Sequence, residues 1–287
     1  MKISEQQTKF NANTRSNWES FESHRHFTTA TIGEAKKYLP INCKAPTLAV
    51  LGAGNGNDLE LQKVAESFSK IHLFDFDPAA LEHLKTQQLN QPSVSEKTVI
   101  EPPVDLSGIS KELENLPAEL TEPEVLQLAN RAREPNDVLP GRQFDVVVST
   151  CLTTQLLDSV VNSIGDDSPF KHLMMIAIRD GHLKLMDNLI RPGGAGVLIT
   201  YFVSSDTLPE LQNVETSQSV LDLARKAIDQ RNFFTGANPW AIKDAIGQLI
   251  VEDPFEPWSI APPWRWEIGK ARSYLVTAIS FSKPLAR

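Results

Sequence analysis

An apolar run followed by three alternate glycines is the feature that most constrains the fold of this chain of 287 residues. Residues 47–51 predict a buried strand, and Gly52, Gly54 and Gly56 predict a sharp turn that opens directly into a helix. Glycine reaches positive φ and carries no Cβ, so the backbone can approach a ligand that any side chain would exclude. The pattern therefore predicts an α/β domain that holds a nucleotide-like ligand at the end of its first strand.

A second apolar run, residues 71–74, leads into the acidic residue Asp75, which lies 19 residues after Gly56. This is about the spacing at which a carboxylate at the tip of the second strand accepts hydrogen bonds from ribose hydroxyls. Asn57 replaces the last glycine of the dinucleotide pattern, and Asp58 adds negative charge where a pyrophosphate would bind. Both features disfavour a dinucleotide. Asp58, expected near the start of the helix, suits the helix dipole or a cationic ligand.

The order of motifs along the chain resembles that of the class I S-adenosylmethionine-dependent methyltransferases. The resemblance spans about residues 45 to 205 and the C-terminal strand pair. Besides the glycine loop, it rests on the acid-plus-apolar pair Asp105 and Leu106, the strand 144–149, and a helix stopped by Pro-Gly-Gly at 192–194 before the next strand. It implies a Rossmann-like, doubly wound α/β sheet of seven strands, mostly parallel with an antiparallel C-terminal strand, and S-adenosyl-L-methionine as the cofactor.

The same resemblance implies which residues hold that cofactor. The glycine loop would approach its methionine part, Asp75 its ribose, and Asp105 with Leu106 its adenine, while the loop after the fourth strand borders the reactive methyl group. Many members carry an acid two residues before the first glycine; Val50 stands there, and Asp58 is the acid that can serve the same loop. The cofactor-binding residues expected on this basis are Gly52, Ala53, Gly54, Asn55, Gly56, Asp58, Asp75, Phe76, Asp105, Leu106, Thr150 and Cys151.

Segments outside the resemblance predict additions to a single domain. Residues 1–40 predict an N-terminal helical extension, and residues 41–287 the cofactor-binding domain, with insertions at 107–142 and 204–263. The extension either lies across the cofactor or simply packs on the sheet, and its aromatic residues at helical spacing fit both alternatives. The insertion at 107–142 is expected to be a surface elaboration, and that at 204–263 a cap after the fifth strand.

Four of the five tryptophans fall between residues 240 and 266. In this architecture the segment after the fifth strand lies beside the carboxyl edge of the sheet, where open α/β folds bind ligands. The rings would then wall an acceptor pocket and exclude water, or else they build the core of a small cap. The acceptor-pocket residues predicted here are Gln155, Tyr201, Phe233, Trp240 and Trp264.

No catalytic residue can be assigned from the sequence. Methyl transfer from a sulfonium is an in-line displacement in which positioning supplies most of the catalysis, and a general base is needed only if the nucleophile arrives protonated. The candidates are His172, Cys151 and Thr153. His172 is either a base or an ordinary helix-start histidine, and Cys151 either a covalent nucleophile or a small lining residue. No spacing of His, Cys, Asp or Glu predicts a metal site.

The net charge of −8 and the pI near 5.3 argue against nucleic acid or an anionic membrane as the main partner. The N-terminus lacks an apolar targeting segment and no run of about 18 apolar residues occurs, which predicts a cytoplasmic protein. The predicted function is methyl transfer to a small-molecule acceptor. A protein methyltransferase, a module that binds the cofactor or a related nucleoside without turnover, and an NAD-dependent oxidoreductase are the alternatives.

Overall fold

The computed structural model describes residues 2–117, 119–214, 216–250, 258–268 and 272–285. Its strands are β1 (Thr47–Leu51), β2 (Lys70–Phe74), β3 (Thr98–Ile100), β4 (Phe144–Thr150), β5 (Ile190–Ser204), β6 (Trp258–Ile260), β7 (Trp264–Ile268) and β8 (Arg272–Ser282). Its helices are α1 (Ile3–Thr14), α2 (Glu22–Glu34), α3 (Leu61–Ser67), α4 (Pro78–Gln88), α5 (Pro92–Ser95), α6 (Ser110–Glu114), α7 (Glu122–Arg133), α8 (Leu152–Ile164), α9 (Lys171–Leu189), α10 (Ser217–Asp229) and α11 (Pro239–Leu249).

The strands of the described residues form one sheet in the order β3-β2-β1-β4-β5-β8-β6, with β7 also paired to β8. The first five strands pair in parallel, and β8 runs antiparallel to β5, β6 and β7. β6 and β7 follow one another along β8 and share one position, separated by a segment whose Pro262 and Pro263 lack the N–H groups that a ladder needs. The sheet therefore has seven strand positions with an antiparallel C-terminal strand, and the predicted fold class is confirmed.

Helices cover both faces of the sheet, which explains why its central strands are continuous apolar runs rather than alternating ones. β4 is buried at all seven of its positions, and β1 at four of five. One apolar core lies between the sheet and α7, α8 and α9, and a second between the sheet and α2, α3 and α4. The rigid centre formed in this way positions the loops that follow β1, β2 and β4.

The sequence predicts that the glycine turn opens directly into a helix. In the structure it does not, because α3 begins only at Leu61. Gln88 of α4 stabilises the longer loop. Its side-chain amide donates to the carbonyl oxygens of Gly56 (2.7 Å) and Leu59 (3.0 Å), and its oxygen accepts from the Leu61 N–H (2.9 Å). Asp58 consequently lies in the loop, two residues before Glu60, which is the N-cap residue of α3.

The insertion at 107–142 is not the surface elaboration that its composition suggests. α7 buries Val125, Ala129 and Ala132 in the core and packs on α9. The approach is so close that a Cβ on Gly181 of α9 would lie 1.8 Å from the Ala132 carbonyl oxygen. The proposed boundaries of this insertion and of the one at 204–263 stay predictions, and residues 251–257 of the latter lie outside the described ones. Within the described ranges, no helix combines the length and apolar character that crossing a membrane requires.

Candidate functional site

A crevice opens at the carboxyl ends of β1, β2 and β4, where open α/β sheets bind their ligands. It has two compartments, which share Gln7, Gly52, Asp75 and Gln155. The wide compartment, of about 150 Å³, lies against the glycine loop and the ends of β5, β7 and β8. The narrow compartment, of about 40 Å³, lies against the loop after β3 and the apolar side of α8. The shared residues make the two compartments neighbours on either side of Asp75.

The three glycines of the loop are required for different reasons. Gly52, Gly54 and Gly56 all have positive φ, at +80°, +49° and +73°. A Cβ on Gly56 would lie 2.7 Å from Leu84, and one on Gly52 3.0 Å from Leu152, so both positions are closed by packing inside the protein. A Cβ on Gly54 would meet nothing nearer than a side-chain oxygen of α1, at 3.5 Å. Gly54 is therefore the position where backbone without a Cβ faces the wide compartment, with Asn11 of α1 opposite it.

Asp75 lies at the end of β2 and lines both compartments. One carboxylate oxygen accepts from the Gly54 N–H at 2.7 Å, and the other from the Asp77 N–H at 2.9 Å. A carboxylate offers about four acceptor positions, so about two remain for a ligand. Burial raises the pKa of Asp75, and the backbone hydrogen bonds from Asp77 and Gly54 offset part of that rise.

Asp105 lines the narrow compartment but is committed to the protein. Its Oδ1 accepts from the N–H (2.9 Å) and the hydroxyl (2.6 Å) of Ser107, and its Oδ2 accepts from the N–H (2.9 Å) and the hydroxyl (2.6 Å) of Ser110. These four bonds fill its acceptor positions. The carboxylate shapes the turn into α6 and has no position left for an adenine amino group. Leu106, Phe76 and Val104 line the same compartment with apolar surface.

The loop after β4 supports the glycine loop and does not line the crevice. The Thr150 hydroxyl donates to the Gly52 carbonyl oxygen at 2.8 Å. Cys151 starts α8 with a left-handed φ of +52° and is 1% exposed, and burial raises the pKa of its thiol well above the ordinary value. A buried, neutral thiol cannot act as the nucleophile considered above. Thr153 is equally buried, and its hydroxyl has no partner among the described residues.

Neither of two histidines on α9 reaches the crevice. His172 is exposed in the first turn of α9 and is not among the residues that line either compartment. His182 is buried, with its Nε2 2.8 Å from the Ser149 hydroxyl, and burial lowers its pKa to about 4. Within the described ranges, no group of three or more His, Cys, Asp or Glu side chains is arranged to hold a metal ion.

Of the five predicted acceptor-pocket residues, the structure brings Gln155 and Tyr201 to the wide compartment. Phe233 packs against the apolar core. Trp264 is buried behind the wall, where its indole N–H donates to Nδ1 of His24 at 3.0 Å. Trp240 is 51% exposed in the first turn of α11. The aromatic tract therefore contributes to the wall and to the core at different positions, so neither of the two alternatives describes the whole tract.

The wide compartment is also lined by residues that were not among the five, including Trp266 of the aromatic tract, and Tyr274 and Asp158, which were not predicted from the sequence. Trp266 lies two residues after Trp264, and alternate residues of a strand share a face. Tyr274 is paired with Trp266 across the β7–β8 ladder. Asp158 lies three residues after Gln155 on α8, and residues at that spacing share a helix face. Strand and helix periodicity could therefore have identified Trp266 and Asp158, whereas Tyr274 follows only from the pairing of β7 with β8 in the folded chain.

Helix α1 lies over the glycine loop. The sequence, in contrast, predicts a loop whose backbone is open to a ligand. Asn11 of α1 donates to an Asp77 carboxylate oxygen at 3.0 Å. In return, Asn55 donates to the Asn11 carbonyl oxygen, and Asn57 to that of Thr14, both at 2.7 Å. Of the two alternatives for the N-terminal extension, α1 thus lies across the crevice, while α2 packs on β7 and α3.

No protein-family model and no curated protein matches this chain in sequence. Among solved structures, an O-methyltransferase family protein from Burkholderia thailandensis is 13% identical with a TM-score of 0.45, over 98% of this chain and 60% of that one. A TehB-like SAM-dependent methyltransferase from Corynebacterium glutamicum is 10% identical with a TM-score of 0.41, over 96% of this chain and 99% of that one. At such identities and TM-scores the likeness carries no argument about ligand, acceptor or partner.

Proposed function

We propose that this protein is an S-adenosylmethionine-dependent methyltransferase that acts on a small-molecule acceptor. The observation that carries the proposal is Asp75, which keeps about two acceptor positions free between the two compartments and lies beside the backbone of Gly54. A carboxylate placed in this way suits the paired hydroxyls of a ribose.

The lining of each compartment fits a different part of the cofactor. In the narrow compartment, Leu106, Leu113 and Leu156 offer apolar surface for a flat ring such as adenine. In the wide compartment, the backbone of the glycine loop and the carboxylate of Asp58 suit an amino acid with its ammonium group. Asp105 is withdrawn from the set of direct contacts that the resemblance implied, because its acceptor positions are filled.

The bound cofactor would supply an activated methyl group on a sulfonium, whose thioether is a good leaving group. The chain then has to hold the acceptor beside that methyl group and keep water away, and holding reactants in near-attack geometry contributes about 7 to 11 kcal/mol. The buried Cys151 and His182 take no part in this. The aromatic wall of Tyr201, Trp266 and Tyr274 is positioned to exclude water from the wide compartment.

The volume of the crevice indicates that α1 moves when a ligand enters. Pockets for ligands of this size enclose about 300 to 1,000 Å³, whereas the wide compartment encloses about 150 Å³. The contacts between α1 and the loop include a few part-buried hydrogen bonds, each with a net stabilisation of about 1 kcal/mol. Displacement of the end of α1 that faces the loop therefore costs a few hydrogen bonds, whereas displacement of the whole helix would also withdraw Ile3 from the apolar core.

Isothermal titration with S-adenosylmethionine and S-adenosylhomocysteine tests the proposal. We expect both ligands to bind, and we expect Asp75→Ala to weaken binding about 10- to 100-fold, which corresponds to the loss of charge-assisted hydrogen bonds. Asp166→Asn, which removes a carboxylate on an exposed loop, is the matched control and should leave the affinity unchanged. No heat from either ligand at high protein concentration would refute the proposal.

Turnover separates the proposed enzyme from its alternatives. Release of S-adenosylhomocysteine with a panel of small acceptors supports the proposal, and release only with a peptide pool identifies a protein methyltransferase. Binding without release in either assay identifies a cofactor-binding module. A change in nicotinamide fluorescence on mixing with the protein would instead indicate an oxidoreductase.

A further inference from the structure

Three aromatic rings from different strands form one continuous wall of the wide compartment. Tyr201 of β5 and Tyr274 of β8 have ring centroids 4.6 Å apart. Trp266 of β7 lies 5.8 Å from Tyr201 and 5.6 Å from Tyr274. Aromatic faces carry a negative electrostatic potential, and walls of this kind attract cations with about 2 kcal/mol when water is excluded.

Asp158 of α8 lines the same compartment, and its carboxylate makes no hydrogen bond or ion pair with any described residue. The Asp158 side chain is exposed, and its exposed surface faces the crevice. The surrounding protein desolvates the carboxylate in part, which raises its pKa. Arg272, the cation nearest to it in the compartment, forms an ion pair with Asp206 and lies over the Tyr274 ring at 5.6 Å. The charge of Asp158 is therefore only partly balanced within the protein.

The remaining polar groups around the compartment favour a positively charged or hydrogen-bonding ligand. Asp58, Asp75 and Asp158 line the wide compartment, against the single guanidinium of Arg272 in the same lining. Behind the wall, His24 is 1% exposed, and its Nε2 lies 3.4 Å from an Asp58 carboxylate oxygen. Neither of these two atoms has a hydrogen-bond partner among the described residues.

We propose that the acceptor is a small cationic amine, which binds with its ammonium group between the aromatic wall and the Asp158 carboxylate. This inference rests on the proposed function. An alcohol or a carboxylate of the same size would leave Asp158 without a counter-ion, and a carboxylate would also be repelled by it. The wall and the acid thus select for positive charge, and they do so from residues that are not part of the cofactor contacts described above.

The geometry also assigns Asp158 a role as general base. An alkylamine is protonated at neutral pH and must lose a proton before its nitrogen can attack. The Asp158 carboxylate accepts that proton, the N–CH₃ bond forms, and the S–CH₃ bond breaks with its electron pair remaining on sulfur. A carboxylate whose pKa is raised is a better proton acceptor than an ordinary one, and general bases contribute about 10²- to 10⁴-fold to a rate.

Binding of benzylamine and of benzyl alcohol to the protein saturated with S-adenosylhomocysteine tests the charge selection. The two probes share a ring and length and differ in charge, and the fluorescence of Trp266 in the wall reports their binding. We expect benzylamine to bind at least 10-fold more tightly than benzyl alcohol. Asp158→Asn should remove that preference, whereas Asp229→Asn, on the exposed end of α10, should retain it. Equal binding of the two probes by the wild-type protein would overturn the inference.

Comparison of the charged and uncharged cofactor forms identifies a competing role for the acid. If Asp158→Asn weakens S-adenosylmethionine but not S-adenosylhomocysteine, the carboxylate serves the sulfonium and the inference is overturned. If both forms bind as in the wild type, the variant is folded and the effect lies on the acceptor side. Failure of both forms to bind the wild-type protein refutes the proposed function itself, which separates the two failures.

Kinetics complete the test. With benzylamine as acceptor, Asp158→Asn should lower kcat about 100-fold or more, and Asp158→Glu should recover part of that loss because it restores a carboxylate at slightly greater reach. Methylation of benzyl alcohol in preference to benzylamine would overturn the inference while leaving the methyltransferase proposal in place.

Discussion

Asp75 directly follows β2, and Asp105 lies in the loop after the neighbouring β3; both line the same crevice, yet the protein uses their carboxylates differently. Asp75 accepts two hydrogen bonds, both from backbone N–H groups. Asp105 accepts four, two from backbone and two from serine hydroxyls. Asp75 therefore keeps acceptor positions for a ligand, whereas all acceptor positions of Asp105 bind the loop that leads into α6. An acid at a strand end is therefore a ligand-binding group only where the chain leaves its oxygens free.

Replacement of Asp105 should have the largest effect on the stability of the fold. We expect Asp105→Ala to lower the free energy of unfolding by about 3 kcal/mol, because two buried N–H groups and two hydroxyls lose a charged acceptor. Thermal unfolding followed by circular dichroism should show a lower Tm, by roughly 5 °C for a chain of this size.

Affinity provides the control for that prediction. At a temperature where Asp105→Ala is folded, its affinity for S-adenosylhomocysteine should lie within about threefold of the wild-type value, since the carboxylate has no acceptor position to offer. A loss as large as that expected for Asp75→Ala would show that Asp105 contacts the ligand and would remove the distinction between the two acids.

The difference between these acids marks the limit of what the sequence can predict. Strand order, the glycine loop and the position of Asp75 follow from local patterns, namely apolar runs, glycine spacing and an acid at a strand end. The number of hydrogen bonds that an acid accepts is set by neighbours such as Ser107 and Ser110, and their serine hydroxyls give no periodic signal. Asp105 therefore resembles a ligand-binding acid in the sequence and is a structural one in the fold.

Long-range packing accounts for the other differences. Gln88 lies 32 residues after Gly56, and only the folded chain shows that it supports the glycine loop and delays the start of α3. Likewise, Trp266 of the aromatic tract lines the wide compartment, but Trp240 and Trp264 do not, because one begins a surface helix and the other faces α2. Clustering in sequence does not tell which ring reaches a cavity.

The pH dependence of binding should sharpen the comparison. Asp75 has a raised pKa, and ribose hydroxyls donate to its ionised form, so the ligand binds best when the carboxyl is deprotonated. Affinity is then full above the raised pKa and falls as the pH drops through it, in the range above the ordinary value of 3.8, with a limiting slope of about tenfold per pH unit.

Titrations of S-adenosylhomocysteine at decreasing pH measure this dependence, and Asp75→Asn is the control. The variant cannot ionise at this position, so its lower affinity should stay constant over the same range. A pH dependence that is unchanged in the variant would assign the titration to another group and would mean that the free acceptor positions of Asp75 are not used.

The smallest effect is expected where α1 borders the wide compartment, at Asn11. Asn11→Ala removes the hydrogen bond to Asp77, worth about 1 kcal/mol, while the bonds from Asn55 and Asn57 to the backbone of α1 are retained. Displacement of α1 then requires less free energy, and stopped-flow measurement should show faster association of S-adenosylhomocysteine, by up to about fivefold. Gln91→Ala, at an exposed residue that bonds Gln62 and lines neither compartment, serves as the surface control and should leave the rate unchanged. Because Asp105 faces the other compartment and is not bonded to α1, Asp105→Ala should likewise leave the association rate unchanged. An equal acceleration in both variants would show that the two sides of the crevice open together, and the contrast between the acids would then apply to binding but not to entry.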